Sequence, residues 1–423
     1  MKIYRYLLLA LLTFVFATTI EPVVAQMQTS LNPLVTSRVN VNAGYTLKQS
    51  DMLLEGKGFY EAGRLVEATQ VWEKALSTYQ RKGELRNQVL VYNYLSVAYQ
   101  DLGDWQAAKK SVSKALELIK TVDDGLLYAQ VLNTSGSLQL KTGNPQIALD
   151  SWKQSEQIYR KLDDATGIIL SQINQAQALQ NLGFYRRGRN KLEQVAKDLD
   201  KLPDSLLKAR GLRSLGNVLQ AVGDLDNSQK VLSQSLEIAR NLNGTPDVAQ
   251  SLLALGNTVR VNDDYSGAID YYQQAAVVAT DSPTQLSAKI NQFSLLLKTK
   301  KSAAALELLP DINQLLTKIP SSRFSVYSRV NLAESLIKNK QLGVDNRELG
   351  KILAIAVKQA RELQDKRAEA YAVGQLGHVY EENKQFSEAL NLTRNGLTLA
   401  QSIQSNDISA TLLWQQGRIY KAL

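Results

Sequence analysis

Leu252-Leu253-Ala254-Leu255-Gly256-Asn257-Thr258-Val259, followed by Asp263-Asp264-Tyr265-Ser266-Gly267-Ala268-Ile269-Asp270-Tyr271-Tyr272-Gln273-Gln274-Ala275, decides the fold of this 423-residue chain. Leu252, Leu255 and Val259 are spaced three and four apart, so they share one face of a first helix. Tyr265, Ala268, Tyr272 and Ala275 do the same for a second. Val261 to Asp264 form a polar turn of the length that joins antiparallel helices. A glycine inside a helix costs about 1 kcal/mol relative to alanine, so Gly256 needs a compensating gain. Close approach of the paired helix, where a β-carbon would collide, supplies one.

The same phrase recurs outward from this stretch. Gly56, Gly136, Gly216 and Gly256 are separated by multiples of forty residues, and Ser96 and Ala176 fill the vacant places. Gly377 and Gly417 resume the step. Gly63, Gly103, Gly143, Gly183 and Gly223 follow seven residues later, with Asp263 in the sixth place. Ala68, Ala108, Ala148 and Ala268 are the expected small partners on the second helices. A fixed period of this size marks stacked supersecondary units that bury a core only against their neighbours. Between residues 283 and 365 the pattern degrades: Pro283, Pro310 and Pro320 fall there, Phe293 and Ala333 are the best anchors, and four extra residues lie near Leu342 to Arg347. No glycine- or serine-rich linker interrupts the stretch, which reads as two irregular repeats.

The amino terminus reads as a processing segment. Lys2 and Arg5 precede an apolar run from Leu7 to Ala17, and Val23-Val24-Ala25 offers a cleavage site. The run is shorter than the roughly 20 residues of a transmembrane helix. Residues 1–25 are therefore expected to be a signal peptide, residues 26–45 a mobile lead-in, and residues 46–423 the helical array. The array divides into regular repeats over 46–282, irregular ones over 283–365, and a regular repeat plus a half-repeat over 366–423. The mature chain is expected to be exported, periplasmic or extracellular, with no stable membrane insertion.

Composition excludes much chemistry. There is no cysteine and one histidine, so thiolate chemistry and multi-histidine metal sites are impossible. No nucleophile elbow, phosphate-binding loop or H-E-x-x-H motif is present. The net charge of +9 is spread in mixed-sign surface patterns. Its densest stretch, Arg186-Arg187 with Arg189 and Lys191, has no interleaved aromatics, which argues against nucleic acid. Asp123-Asp124 and Asp163-Asp164 recur at one phase and read as turns and helix caps. Trp72, Trp105, Trp152 and Trp414 fall at packing positions and read as core. No catalytic residue, cofactor or metal is expected.

The pattern in Gly56-Phe59-Gly63-Ala68-Trp72-Ala75, repeated in Ser96-Tyr99-Gly103-Ala108-Val112-Ala115 and Gly377-Tyr380-Phe386-Ala389, resembles the tetratricopeptide repeat. The resemblance implies an all-α, right-handed α-solenoid whose first helices line a concave groove. Its inward positions fall on Asn93 and Asn133, on Asn174, Asn291 and Asn331, on Asn217 and Asn257, and on Arg213 and Arg260. A carboxamide offers a donor and an acceptor together, so it can pair with the main chain of an extended peptide whatever its side chains. Arginines can take carboxylates bidentately. The expected function is thus a non-enzymatic scaffold holding a protein or peptide partner.

The export signal, the forty-residue unit and phrases such as Leu255-Gly256-Asn257 also resemble the repeat region of cyanobacterial proteins that end in a caspase-like CHAT domain. That resemblance implies an alternative, the regulatory or sensor arm of such a peptidase, with the catalytic domain absent or separately encoded. Trp414, Gly417 and Tyr420 match a first helix with no second helix after it. Either Leu412, Leu413 and Ile419 pack back as a cap, or further chain belongs beyond them.

Overall fold

The computed structural model describes residues 47–339 and 345–423. The expected signal peptide and lead-in lie outside these residues, as does most of the four-residue excess. Among the described residues there are nineteen α-helices, one short 3-10 turn at Ile119–Thr121, and no strand. First helices are α1 (Leu47–Glu61), α3 (Leu85–Leu102), α5 (Gly125–Lys141), α7 (Ala165–Asn181), α9 (Leu206–Ala221), α11 (Thr245–Val261), α13 (Ser282–Lys298), α15 (Arg323–Ile337), α17 (Lys366–Glu382) and α19 (Asn406–Ala422). Second helices are α2 (Leu65–Lys82), α4 (Trp105–Leu118), α6 (Pro145–Lys161), α8 (Tyr185–Asp200), α10 (Leu225–Asn241), α12 (Tyr265–Val278), α14 (Ser302–Lys318), α16 (Asn346–Glu362) and α18 (Phe386–Ser402). Each helix packs mainly on its neighbours in sequence, and first helices also touch the next first helix.

The helical glycines mark where a large side chain crosses from the partner helix. A β-carbon on Gly56 would stand 2.3 Å from the Trp72 indole, and one on Gly136 2.6 Å from that of Trp152. At Gly216 the obstacle is Leu232 at 2.5 Å, and at Gly256 it is Tyr272 at 2.6 Å. The expected alanine partners Ala68, Ala108, Ala148 and Ala268 are fully buried, but the side chain that lies on each glycine is the large residue sixteen positions on. The gain that offsets the glycine's helix penalty is thus a buried Trp, Tyr or Leu seated against bare backbone.

The turn residues are legible too. Gly63, Gly103, Gly143, Gly183 and Gly223 all have left-handed φ, and Asp263 takes φ 58° in their place. This conformation carries no Cβ penalty for glycine and only a modest one for aspartate. Asp163 is likewise left-handed at φ 53°, while Asp124 and Asp164 cap helices by accepting the amides of Leu127 and Gly167 at 2.9 and 3.0 Å. The paired acids are turn and cap, as their phase suggests.

In the irregular stretch the packing inverts. Phe293 is fully buried where a small residue stands elsewhere, and the half-buried Leu309 replaces the large aromatic sixteen residues on. Pro283 sits in the first turn of α13, where no amide is lost, and Pro310 lies inside α14. One apolar core runs from Leu286 to Val379.

The solenoid curls until distant units touch. The amide of Arg323 donates to Gly63 O at 3.2 Å, and Trp105 Nε1 donates to Ile403 O at 3.0 Å. Buried Arg323 grips Asp365 with two hydrogen bonds of 2.5 and 2.8 Å and donates a third to Asp101 O. Trp72 and Trp152 are core, as expected, and Trp105 joins this seam. Trp414 departs from expectation: it is 59% exposed, because no second helix among the described residues covers α19. Leu412 and Ile419 do pack back, whereas Leu413 does not.

Candidate functional site

Each first helix repeats one geometry, so residues at one phase, and those three along on the same helix face, line up from unit to unit on the inner side. Asn174, Asn217 and Asn331, on α7, α9 and α15, are half-buried, and their side chains make no hydrogen bond among the described residues. Between them, Asn291 Nδ2 on α13 approaches Asn257 Oδ1 on α11 at 3.4 Å. Tyr272 OH donates to the same Asn257 oxygen at 2.8 Å. Burial pushes the Tyr272 phenol up to about 12, and neighbouring Arg260 pulls against that shift. The phenol therefore remains a donor at neutral pH and fixes the Asn257 carboxamide.

The remaining expected residues are placed differently. Asn93 is 1% exposed and its Oδ1 has no partner. Asn133 is also enclosed: its Nδ2 donates to Tyr159 OH at 3.3 Å, and its Oδ1 accepts from Ser171 at 3.4 Å. Arg213 donates to buried Asp247 at 3.1 Å, and Arg210 grips the same carboxylate at 2.8 and 2.9 Å. Burial would raise the Asp247 carboxyl, but hydrogen bonds from Arg210 and Arg213 outweigh it and hold the group below its ordinary value. The arginine fork that could have taken a partner's carboxylate is engaged from within.

Sequence reasoning missed two features of this face. Gln375 on α17 stands at the phase of Asn174, Asn291 and Asn331, half-buried, with Oε1 enclosed and unpartnered. Its amide chemistry at that phase was the available signal. The second is Glu381, which takes two bonds of 2.9 Å from Arg418 and one of 3.2 Å from His378 Nδ1. Burial works against its charge, but these bonds prevail and keep its pKa low. The chain's one histidine is thus held by its contact with Glu381. No group of His, Asp or Glu among the described residues is arranged to hold a metal, and no described helix is long and apolar enough to cross a membrane.

Residues 87–161 and 207–278 match the family model of the tetratricopeptide repeat. The fold is a tetratricopeptide-type helical solenoid. No curated protein matches the chain in sequence. Among solved structures, the array is similar to a Rap protein complexed with Competence and Sporulation Factor, at 14% identity over 85% of this chain and 99% of that one, with a TM-score of 0.43. It is similar to the quorum sensor NprR from B. thuringiensis, at 12% identity over 83% and 99%, with a TM-score of 0.42. A third is aspartyl phosphate phosphatase F from Bacillus subtilis, at 12% identity over 85% and 96%, with a TM-score of 0.44.

Proposed function

We propose that the tetratricopeptide array is a non-enzymatic, exported scaffold whose inner face holds an extended segment of a partner protein. One observation carries the reading: carboxamides on consecutive first helices α7, α9, α11, α13 and α15 stand half-buried on one face, three of them without a partner among the described residues. A half-buried amide that still reaches solvent keeps both its donor and its acceptor available to a bound main chain. Neighbouring helices are about 8–10 Å apart, which an extended chain spans in about three residues. One asparagine per unit therefore matches a main-chain group at every third residue or so. Selectivity for main chain over side chain follows from the chemistry of the amide. Export rests on the reading of residues 1–25.

Selection of binders from a displayed library of unstructured peptides tests this. Peptides that bind the wild-type chain should lose affinity for Asn217→Ala/Asn257→Ala/Asn291→Ala by about tenfold or more, whatever their sequence. Equal affinity for both proteins removes the groove assignment. The alternative, an arm of a caspase-like peptidase, is supported only by the sequence phrases around Gly256. Its test is a search of the adjoining genome for a caspase-like domain, in frame or adjacent; a genome without one ends it.

A further inference from the structure

The start of α8 departs from the pattern of the other second helices in three ways. At the phase of Phe184, Asp104 and Asp264 cap their helices by accepting the amides of Ala107 and Gly267 at 3.0 and 2.9 Å. Phe184 supplies no such cap and is itself 46% exposed. At the next phase Leu65 is buried and Trp105, Pro145, Leu225 and Tyr265 are half-buried, whereas Tyr185 is 71% exposed. Arg186 and Arg187 then occupy the first turn, where the helix dipole disfavours positive charge. No other described second helix opens on two arginines. From Asn181 to Arg187 every residue except Leu182 is exposed, so the turn and the helix start form a protruding tip.

These side chains do little for the fold. The Arg187 guanidinium stands 5.2 Å over the Phe184 ring, and exposed Arg186 makes no ion pair among the described residues. Arg189 has only loose, exposed pairs, 3.6 Å to Glu193 and 3.5 Å to Asp224, of a kind that contributes little. Lys191 turns away to Glu156 at 3.9 Å. We propose that this tip docks the array reversibly on an anionic lipid surface. Phe184 and Tyr185 enter the headgroup layer, which aromatic rings favour, while Arg186, Arg187 and Arg189 meet the phosphates. On the adjoining units Ile147 and Val222 are also exposed, 53% and 39%, and add apolar surface beside the tip. A protruding tip gives a protein chain no cleft to fill, whereas a lipid surface needs none. The tip is separate from the carboxamide face, so either can fail without the other.

The chain has no cysteine, so a single cysteine at Asn181 carries an environment-sensitive dye beside the tip. Vesicles of phosphatidylcholine with phosphatidylglycerol should shift the dye's emission to the blue, less so as salt is raised. Pure phosphatidylcholine should not. A dye at Lys358, exposed on α16, should respond to neither. Phe184→Asp/Tyr185→Ser restores a capping residue, so it should keep or raise the melting temperature while weakening vesicle binding about tenfold or more. Arg186→Glu/Arg187→Glu should weaken binding as much, whereas the charge-matched Lys109→Glu/Lys110→Glu on exposed α4 should not. No shift at residue 181, an equal shift with both vesicles or at both dye positions, or equal loss by the two charge reversals overturns the proposal. A shift that polyglutamate produces and the vesicles do not gives the tip to an acidic protein and overturns it as well.

Discussion

The unit built on α11 and α12 and the unit built on α13 and α14 solve one packing problem in opposite ways. In the first, Gly256 leaves room and Tyr272 fills it. In the second, Phe293 on the first helix is fully buried and Leu309 on the second is the lesser partner. The helix pair survives both arrangements. What the solenoid requires is a filled volume between paired helices; which helix supplies the bulk is free to change. This explains how an array can lose its recognisable motif between residues 283 and 365 and still continue as stacked helices.

The largest effect that breaks the comparison is expected at Phe293→Ala. Emptying a fully buried aromatic should destabilise by about 3–5 kcal/mol, measured by urea unfolding followed by circular dichroism. The mirror change, Gly256→Leu, overfills a finished site and should cost about 1–3 kcal/mol, whereas Gln273→Leu on the same unit should leave the midpoint nearly unchanged. Transplanting the second solution into the first, as Gly256→Phe/Tyr272→Leu, should lose less than the two single changes added together. Strict additivity would show that bulk cannot be exchanged across the pair.

A smaller effect concerns charge. Asp247 has a depressed carboxyl pKa in the fold, so its pairing with Arg210 and Arg213 stabilises fully above the unfolded value of about 3.9. That contribution should fade as pH falls through the lower folded value. Wild type should therefore lose stability relative to Asp247→Asn on acidification below about pH 4, with the gap between their thermal midpoints closing. The smallest effect is in the turns. Lys300 takes φ 60° where the regular units place glycine, and Lys300→Gly should raise stability by about 0.5–1 kcal/mol. The regular unit's turn chemistry would then be shown to improve the irregular one.

Much of this was legible in the chain. The forty-residue step of small residues gives helix pairs because only a collision explains glycine kept inside helices, and the structure supplies the collision. It was less clear what would collide. The alanines are small by pattern, but the residue on each glycine is Trp72, Trp152, Leu232 or Tyr272, a matter of side-chain direction that spacing alone does not give. The inner-face residues were readable as a set and unequal as individuals. Asn93 and Asn133 stand one residue earlier in their units than Asn174, at the place of fully buried Ile173, so the helix turns them into the packing and Asn174 out of it. Arg213 could be placed on the face, but its pairing with Asp247, 34 residues on, is a contact between units. The seam of Arg323 with Asp365 and of Trp105 with Ile403 was invisible, since it depends on the curvature summed over many units.

The claim that the carboxamide face holds an extended segment is tested most directly by photo-crosslinking. A photoreactive residue placed at Gln177, on the inner side of α7, should join to library-selected peptides, and one at Lys230, on exposed α10, should not. Joining at both positions alike, or at Lys230 alone, would contradict the account.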